Sequence, residues 1–506
     1  MAGLYCTPRR KAWAGGRLDI GSAVPLTIAG LDALSSALAS EADSAGLDSA
    51  LSRSQRRKQG AFFTPKPLVE FVVHQTLSAW FATARVQWHR EGYPKIVILD
   101  PSAGDGRFLL AAADFLLAKV DAEGQLEGRS RATVHGKILQ HCLVAVERDA
   151  DYATYLRGVL GGCASVFCDE ALLSDVIADE SVDVVLGNPP YLRSIQLGQV
   201  DPELRERLRG VFAATSYREW DIYAAFLEKG LAWLREEGRL GMVLPSRWWN
   251  AAWAKPLREK LSSQSSVWGL VDFGACQIFE GATVYSSVCF AGSQRTDAVE
   301  LARFGDAGWQ LGMMNAGELA SEPWNLAIGS AQQTLRMLSK TGPALGDIAR
   351  IVKGTGTNAD AVFVIDDPNT EIESELLRPL LRGRDVLAFG SVPSWPKLLV
   401  PYRADGQLIS PEEMRAHYPR ALRHLSSHRE QLENREKGRF AGPSFYCYGR
   451  PQNMLFLSES NPKIVIPDVT KEGRALLDGS GAMVLDSAYA LKIRDGAEYA
   501  IEAVCA

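Results

Sequence analysis

Four side chains that could share one ligand stand at the ends of four short apolar runs. Asp100 follows "KIVIL", Glu147 follows "CLVAV", Asp169 follows "ASVFC" and Asn188 follows "VDVVLG". The first run opens into "DPSAGDGRFLLAAA" (100–113), where Ser102, Gly104 and Gly106 sit in a turn that runs straight into a helix. The glycines let the backbone turn tightly and approach a ligand closely. The spacing is not GxGxxG and there is no P-loop lysine, so neither a dinucleotide nor ATP is favoured. A carboxylate at Glu147 can accept from both hydroxyls of a ribose, as the acidic residue of a dinucleotide site does. Asp169 is placed to accept from an adenine amino group. Any one of these is ordinarily a solvated charge. Together, at successive strand ends beside a glycine turn, they describe a pocket for an adenosine that carries no polyphosphate.

Asn188 opens a different chemistry. It begins "NPPY" (188–191), an amide, two prolines and an aromatic ring that stop a buried-looking strand. An exocyclic amine on a base is a poor nucleophile because its lone pair is delocalised into the ring. Two acceptors, the Asn188 side-chain oxygen and the Pro189 carbonyl, could hold its two N–H groups and draw the nitrogen toward tetrahedral geometry. The prolines fix φ near −65° and remove competing donors. Tyr191 offers a flat face for a base. The plainer reading is a Pro-Pro turn with Tyr191 as packing; the adenosine pocket upstream tips the balance to chemistry.

The elements that must carry these residues alternate. Strands are expected at 95–100, 142–147, 164–169, 182–187, 240–245, 268–273 and 286–292, with helical segments between most of them. That alternation predicts an α/β fold with a mainly parallel, doubly wound sheet of about seven strands, whose ligands bind at the carboxyl ends of the strands. Residues 119–137 read as a surface insertion. Residues 1–58 read as an arm, partly helical or disordered, ending in the basic "RSQRRK" (53–58). Beyond about 295 the pattern turns irregular, with one long polar helix expected over 410–439. Its three histidines (417, 424, 428) read as surface residues rather than ligands.

Composition bounds the rest. The chain has 506 residues, 46% hydrophobic and 23% charged, which suits a soluble chain of two or three domains. No apolar run reaches the ~18 residues of a membrane span, and the N-terminus has no secretory apolar core. Eight cysteines form no CxxC pair, which suits a reducing cytoplasm and argues against structural zinc. The net charge is −5, yet 378–450 holds thirteen Lys/Arg against seven Asp/Glu, a local +6. That is a basic face in an acidic chain.

The ordered motifs "DPSAGDGRF", "VAVERDA", "VFCDEALL" and "VLGNPPY", with "GAFFTPKPLVEFVV" (60–73) ahead of them, resemble those of the γ-class, TaqI-like, S-adenosylmethionine-dependent DNA N6-adenine methyltransferases. "DIYAAFLEKG" (221–230), "GRLGMVLPSRWW" (238–249) and "IFEGATVYSSVCF" (278–290) resemble further catalytic motifs of that family. "LLRGRDV" (380–386), "FYCYGRPQN" (445–453) and "PKIVIPDVTKEG" (462–473) resemble its specificity domain. The likeness spans about 60–480. It departs at Cys447, where relatives often carry an acidic residue, at the 119–137 insertion, and at the end "AIEAVCA", where relatives continue.

The resemblance implies a role for each matching residue. Thr64 meets the methionine carboxylate of the cofactor and Asp100 its ammonium. Ser102, Gly104 and Gly106 line it with backbone, Glu147 takes the ribose and Asp169 the adenine. Asn188 and Pro189 grip the target N6, while Tyr191 and Phe279 sandwich the flipped base. It further implies a catalytic domain over 59–295, a linking segment over 296–340, and a mixed α+β target-recognition domain over 341–506, expected to be cut short or finished differently at its end. The expected partners are double-stranded DNA and a separate nuclease or defence-system subunit, with no metal and no membrane. Two alternatives stay open. One is an RNA or protein-glutamine methyltransferase with the same pocket. The other is an inactive DNA-binding specificity subunit, against which intact Asp169, Asn188 and Tyr191 argue.

Overall fold

The computed structural model describes residues 26–42, 64–162, 165–264, 266–279, 284–319, 323–329, 334, 337, 342–387, 392–459, 461–470 and 472–505. The basic run 53–58, residues 60–63 ahead of Thr64 and residues 280–283 after Phe279 lie outside these. The chain divides into two units, Met1–Thr334 and Leu335–Ala506.

In the first unit, nine strands among the described residues form one sheet. They are β1 (Ile98–Asp100), β2 (Leu143–Glu147), β3 (Ser165–Cys168), β4 (Val182–Gly187), β5 (Leu234–Pro245), β6 (Val267–Asp272), β7 (Ser286–Gly292), β8 (Ala298–Gly305) and β9 (Gly308–Asn315). Their order is β3-β2-β1-β4-β5-β7-β6-β8-β9. The run from β3 to β5 is parallel, and β7 is antiparallel to β5 and β6. The expected seven strands are all present. Chain order reverses between β1 and β4, so the switch-point crevice opens at their carboxyl ends.

Helices cover both faces. They are α1 (Ile28–Ala42), α2 (Lys66–Thr83), α3 (Arg107–Ala122), α4 (Arg131–His141), α5 (Ala150–Val159), α6 (Ser194–Val200), α7 (Pro202–Leu208), α8 (Ile222–Trp233) and α9 (Lys255–Gln264). Strand side chains alternate between faces. Leu99 and Val185 accordingly join one core cluster with Phe226 and Trp233 of α8 and Leu257 of α9. Ile98, Val184 and Leu186 join the other, with Leu68 and Val72 of α2 and Leu109 and Leu116 of α3. Burying each such Leu or Val fully contributes about 1.5–3 kcal/mol. Helix α2 lies close on β5 through Gly241, where an added Cβ would come within 2.1 Å of Thr76 Oγ1.

Three expectations need correction. Residues 298–315, expected within a linking segment, extend the sheet as the antiparallel hairpin β8–β9. Val299 and Leu301 are buried there, so the segment has a core to join. Helix α1 packs with it: Trp309 Nε1 donates to Ser35 Oγ at 2.8 Å and Leu26 N to Glu300 Oε2 at 2.9 Å. The expected insertion at 119–137 is mostly the end of α3 and the start of α4, with Val120 and Val134 buried.

The second unit holds two four-stranded sheets. One pairs β10 (Ala349–Lys353), β17 (Ala488–Ile493), β14 (Lys463–Pro467) and β15 (Leu476–Asp478), all antiparallel. The other pairs β11 (Val364–Ile365), β13 (Lys397–Leu399), β12 (Leu377–Leu381) and β16 (Met483–Val484). The third correction falls here. The long helix expected over 410–439 is three short ones, α10 (Pro411–His417), α11 (Pro419–Ser427) and α12 (Arg429–Glu433). Pro419 cannot donate to the preceding turn and pushes Tyr418 to φ −130°, ψ 53°. Left-handed Glu436 and Lys437 end the run. His424 Nε2 lies 2.9 Å from the Val362 carbonyl oxygen. No helix of the described residues is long and apolar enough to cross a membrane.

Candidate active site

The ends of β1, β2, β3 and β4 and the start of α2 meet around one cavity of about 470 Å³. Parallel pairing sets this: Glu147 stands beside Cys168 and Asp100 beside Ala145, so consecutive strand ends deliver Asp100, Glu147 and Asp169 to one rim. Thr64, Asp100, Ser102, Gly104, Glu147, Asp169 and Asn188 all line it. Gly106 does not. It is the left-handed residue (φ 80°) on which α3 begins, and a Cβ there would meet Leu156 at 2.7 Å. Its part is the tight turn, which a residue with a side chain adopts only under strain.

The polar rim is prepared for a charged, hydroxyl-bearing ligand. Asp100 is 1% exposed. Burial, opposed by the Ser102 N–H bond and reinforced by the nearby Glu147 and Asp105 charges, pushes its carboxyl up to about 8. The close approach of Gly187 helps bury it, since a Cβ there would sit 2.8 Å from Asp100 Oδ1. A cation at this carboxylate would restore its charge. Burial also raises Glu147, whose two oxygens accept from Gly104 N at 2.8 Å and Asp149 N at 2.9 Å. Each oxygen keeps a lone pair for a further donor. Ser102 Oγ is buried with no hydrogen-bond partner among the described residues, an unmet need that a bound ligand can meet. Leu197, Val200, Leu204, Ile222 and Phe226 form an apolar wall. A buried acid, a carboxylate with spare lone pairs and a flat apolar wall fit the amino-acid end, ribose and base of S-adenosylmethionine.

The target side gathers at Asn188. Its Nδ2 donates to Thr64 Oγ1 at 3.0 Å, and Tyr191 Oη donates to its Oδ1 at 2.6 Å. Pro190, not Pro189, lines the cavity, and Tyr191 and Phe279 stand outside that lining. The two rings were expected to sandwich a flipped base. They stand next to each other and meet edge to face, centroids 6.1 Å apart and planes at 77°. Edge-to-face is a preferred contact of two rings that touch each other. Tyr191 makes the same kind of contact with Tyr223, at 6.0 Å. Burial raises its hydroxyl well above the usual tyrosine range, so it remains a donor.

Several participants escaped the sequence reading. Arg107 is held by Asp105 (Nε to Oδ1, 2.9 Å) and donates through Nη1 to the Thr64 carbonyl, tying the glycine turn to α2. Arg148 pairs with Asp201 between α6 and α7, and both line the cavity. Asp221 begins α8 with a buried Oδ1 that has no hydrogen-bond partner among the described residues, and burial pushes its carboxyl up to about 7. The "DGR" and "ERDA" strings were visible, but nothing in the spacing tells which charged residue will turn inward.

The comparisons agree with this geometry. Residues 163–279 match the Eco57I restriction-modification methylase family. The chain is 24% identical over 478 residues to the type II methyltransferase M.BstVI of Geobacillus stearothermophilus, covering 83% of this chain and 79% of that protein. It is 24% identical to the type II methyltransferase M.PaeR7I of Pseudomonas aeruginosa, covering 83% and 75%. In fold it is similar to the type IIL restriction-modification enzyme MmeI, solved in complex with DNA, with a TM-score of 0.54 and 14% identity. That match covers 87% of this chain and 63% of MmeI, so the chain spans less than two thirds of that enzyme. With the doubly wound sheet and its cofactor-shaped rim, these likenesses make the chain similar to type II restriction-modification methyltransferases, the Eco57I-type match lying within residues 163–279 and the likeness to MmeI bearing on the fold alone.

Proposed function

We propose that this protein methylates the N6 amino group of an adenine flipped out of a specific double-stranded DNA sequence, as the modification arm of a restriction or phage-defence system. The observation that carries this is the Asn188 amide, which stands at the rim of the cofactor cavity at the end of β4. S-adenosylmethionine, when bound, supplies an electrophilic methyl group on its sulfonium. Thr64, Asp100, Ser102, Gly104, Glu147 and Asp169 would hold it there. The Asn188 oxygen and the Pro189 carbonyl would accept from the two N–H groups of the target, leaving its lone pair to form the new N–C bond as the methyl's bond to sulfur breaks and its electron pair returns to the thioether. The proton that N6 sheds passes to solvent. Holding both reactants in line supplies most of the acceleration, and the chemistry calls for no metal. Flipping costs a few kcal/mol of stacking and pairing, which contact with Tyr191 and Phe279 offsets.

In this reading the Leu335–Ala506 unit recognises the target, and its basic stretch 378–450 supplies the phosphate contacts, so affinity should fall steeply with salt. A nuclease or other defence-system subunit is the partner, and the setting is the cytoplasm. The test is to incubate purified protein with methyl-labelled S-adenosylmethionine and DNA in EDTA, then digest to nucleosides. The label should run as N6-methyl-2′-deoxyadenosine. Label in RNA or in protein glutamine instead, or none in DNA, would overturn the proposal.

A further inference from the structure

Thr64 and Asn188 are 124 residues apart and belong to different elements, yet their side chains are bonded at 3.0 Å. Thr64 is 2% exposed. Arg107 fixes its carbonyl, and Pro65, next in the chain, begins α2. On its other side the Asn188 amide meets the Tyr191 hydroxyl. Each of these hydroxyls can donate or accept, so neither by itself dictates which way the amide hangs. Only one way serves an amine. If Thr64 donates to Oδ1, the NH2 group faces Tyr191 and the target, and two donors oppose each other. If Thr64 accepts from Nδ2, as it does here, Oδ1 faces outward and can accept.

A threonine hydroxyl has a single proton. When Thr64 accepts from Nδ2, that proton is left for another acceptor, and none of the described residues takes it. Thr64 lines the cofactor cavity, so a carboxylate bound there can take it. We propose that Thr64 is a positioning residue that couples filling of the cofactor cavity to the catalytic orientation of the Asn188 amide. An acceptor in the cavity commits the hydroxyl to accept from Nδ2, and Oδ1 then points toward the target amine. The coupling is reciprocal: a target amine bound to Oδ1 leaves the Thr64 proton for the cofactor. The inference rests on Asn188 being the amine acceptor.

The test uses the full chain and a duplex holding the sequence it methylates in cells, with adenine or with purine, which lacks the amino group, at the target. Duplex affinity is measured with and without saturating S-adenosylhomocysteine, saturation being checked by calorimetry. In wild type, the cofactor product should tighten the adenine duplex roughly tenfold more than the purine duplex. Thr64→Val should abolish that difference and lower kcat roughly ten- to hundredfold with a smaller change in the KM for DNA. Thr64→Ser should restore both. Thr64→Ala carries the same comparison if the valine variant does not fold. A valine or alanine variant that keeps the difference and the rate overturns the proposal. Asn188→Ala separates the two failures. If it keeps adenine-over-purine preference and turnover, the Asn188 reading itself is wrong. If it loses both while Thr64→Val behaves as wild type, only the role of Thr64 falls.

Discussion

Buried polar groups do opposite jobs in the two units. In the C-terminal unit those at Arg435 and Asp478 are used up holding the fold. The Arg435 guanidinium donates to four carbonyls, those of Leu432, Thr357, Phe445 and Cys447. Lys463 and Asp478, both fully buried, pair at 2.7 Å, and Asp478 also accepts from Ser480 and Ala482. In the sheet unit the buried polar groups around the cavity keep something in reserve. Asp100 is held near neutral by burial, Ser102 Oγ has no partner among the described residues, and Glu147 has lone pairs to spare. Since a buried polar group without a full set of partners is costly, such a set gathered around one cavity marks a place where a ligand completes the structure. A saturated set marks scaffold.

Mutations should separate the two kinds. The largest effect is expected in the scaffold. Lys463→Met leaves the Asp478 charge buried alone and should cost about 3–5 kcal/mol, read as a lowered denaturation midpoint. Adding Asp478→Leu should recover most of it. A single mutant as stable as wild type would mean that this pair is not a sealed ion pair. Next comes the target side of the site. Asn188→Ala should lower turnover by roughly two to three decades, the cost of losing a preorganised partner for developing charge, with S-adenosylhomocysteine affinity by calorimetry nearly unchanged. Tyr191→Ala should lose about one to two decades, in keeping with a stacking contribution of ~1–3 kcal/mol.

The cofactor rim should respond more mildly. Asp169→Ala should weaken S-adenosylmethionine binding roughly five- to hundredfold, the usual range for a charged hydrogen bond, without lowering stability. A variant that destabilises the protein and binds normally would place Asp169 with the scaffold. The smallest effect is a pH dependence. Asp100 has a carboxyl raised to about 8 by burial, against an ordinary value of 3.8. Between those values the unfolded chain ionises while the folded one keeps the proton, so stability is lost as pH rises from about 4 to about 8 and then levels. The cofactor-free protein should therefore melt a few degrees lower at pH 8 than at pH 5, and Asp100→Asn should flatten that slope. An unchanged slope would show that other groups set it.

The site was legible in the sequence where each element announces its own end. Asp100, Glu147, Asp169 and Asn188 follow unbroken apolar runs, and parallel strands bring such ends together by topology alone. Thr64 needed the family likeness, because only the packing of α2 on β5 at Gly241 carries it to Asn188. Arg148 and Asp201 could not be read, since they lie on different elements, and the same holds for the bond from Arg107 to the Thr64 carbonyl. The hairpin β8–β9 was missed because its burial alternates only partly: Val299, Leu301 and Ala302 are buried, but Phe304 less so. The broken helix at 410–439 was in the letters, as Pro419 stands in its middle. In the C-terminal unit the local +6 of 378–450 tells that a face is basic, while the residues that read bases leave no comparable signature.

The central claim is that the Asn188 amide at the cavity rim acts on one adenine nitrogen in DNA. Native DNA from cells expressing this chain, or its Asn188→Ala variant, can be sequenced with detection of modified bases. The wild-type chain should leave N6-methyladenine at a single recurring sequence, and the variant should leave none. Modification of cytosine, no modification, or equal adenine methylation by the variant would contradict it.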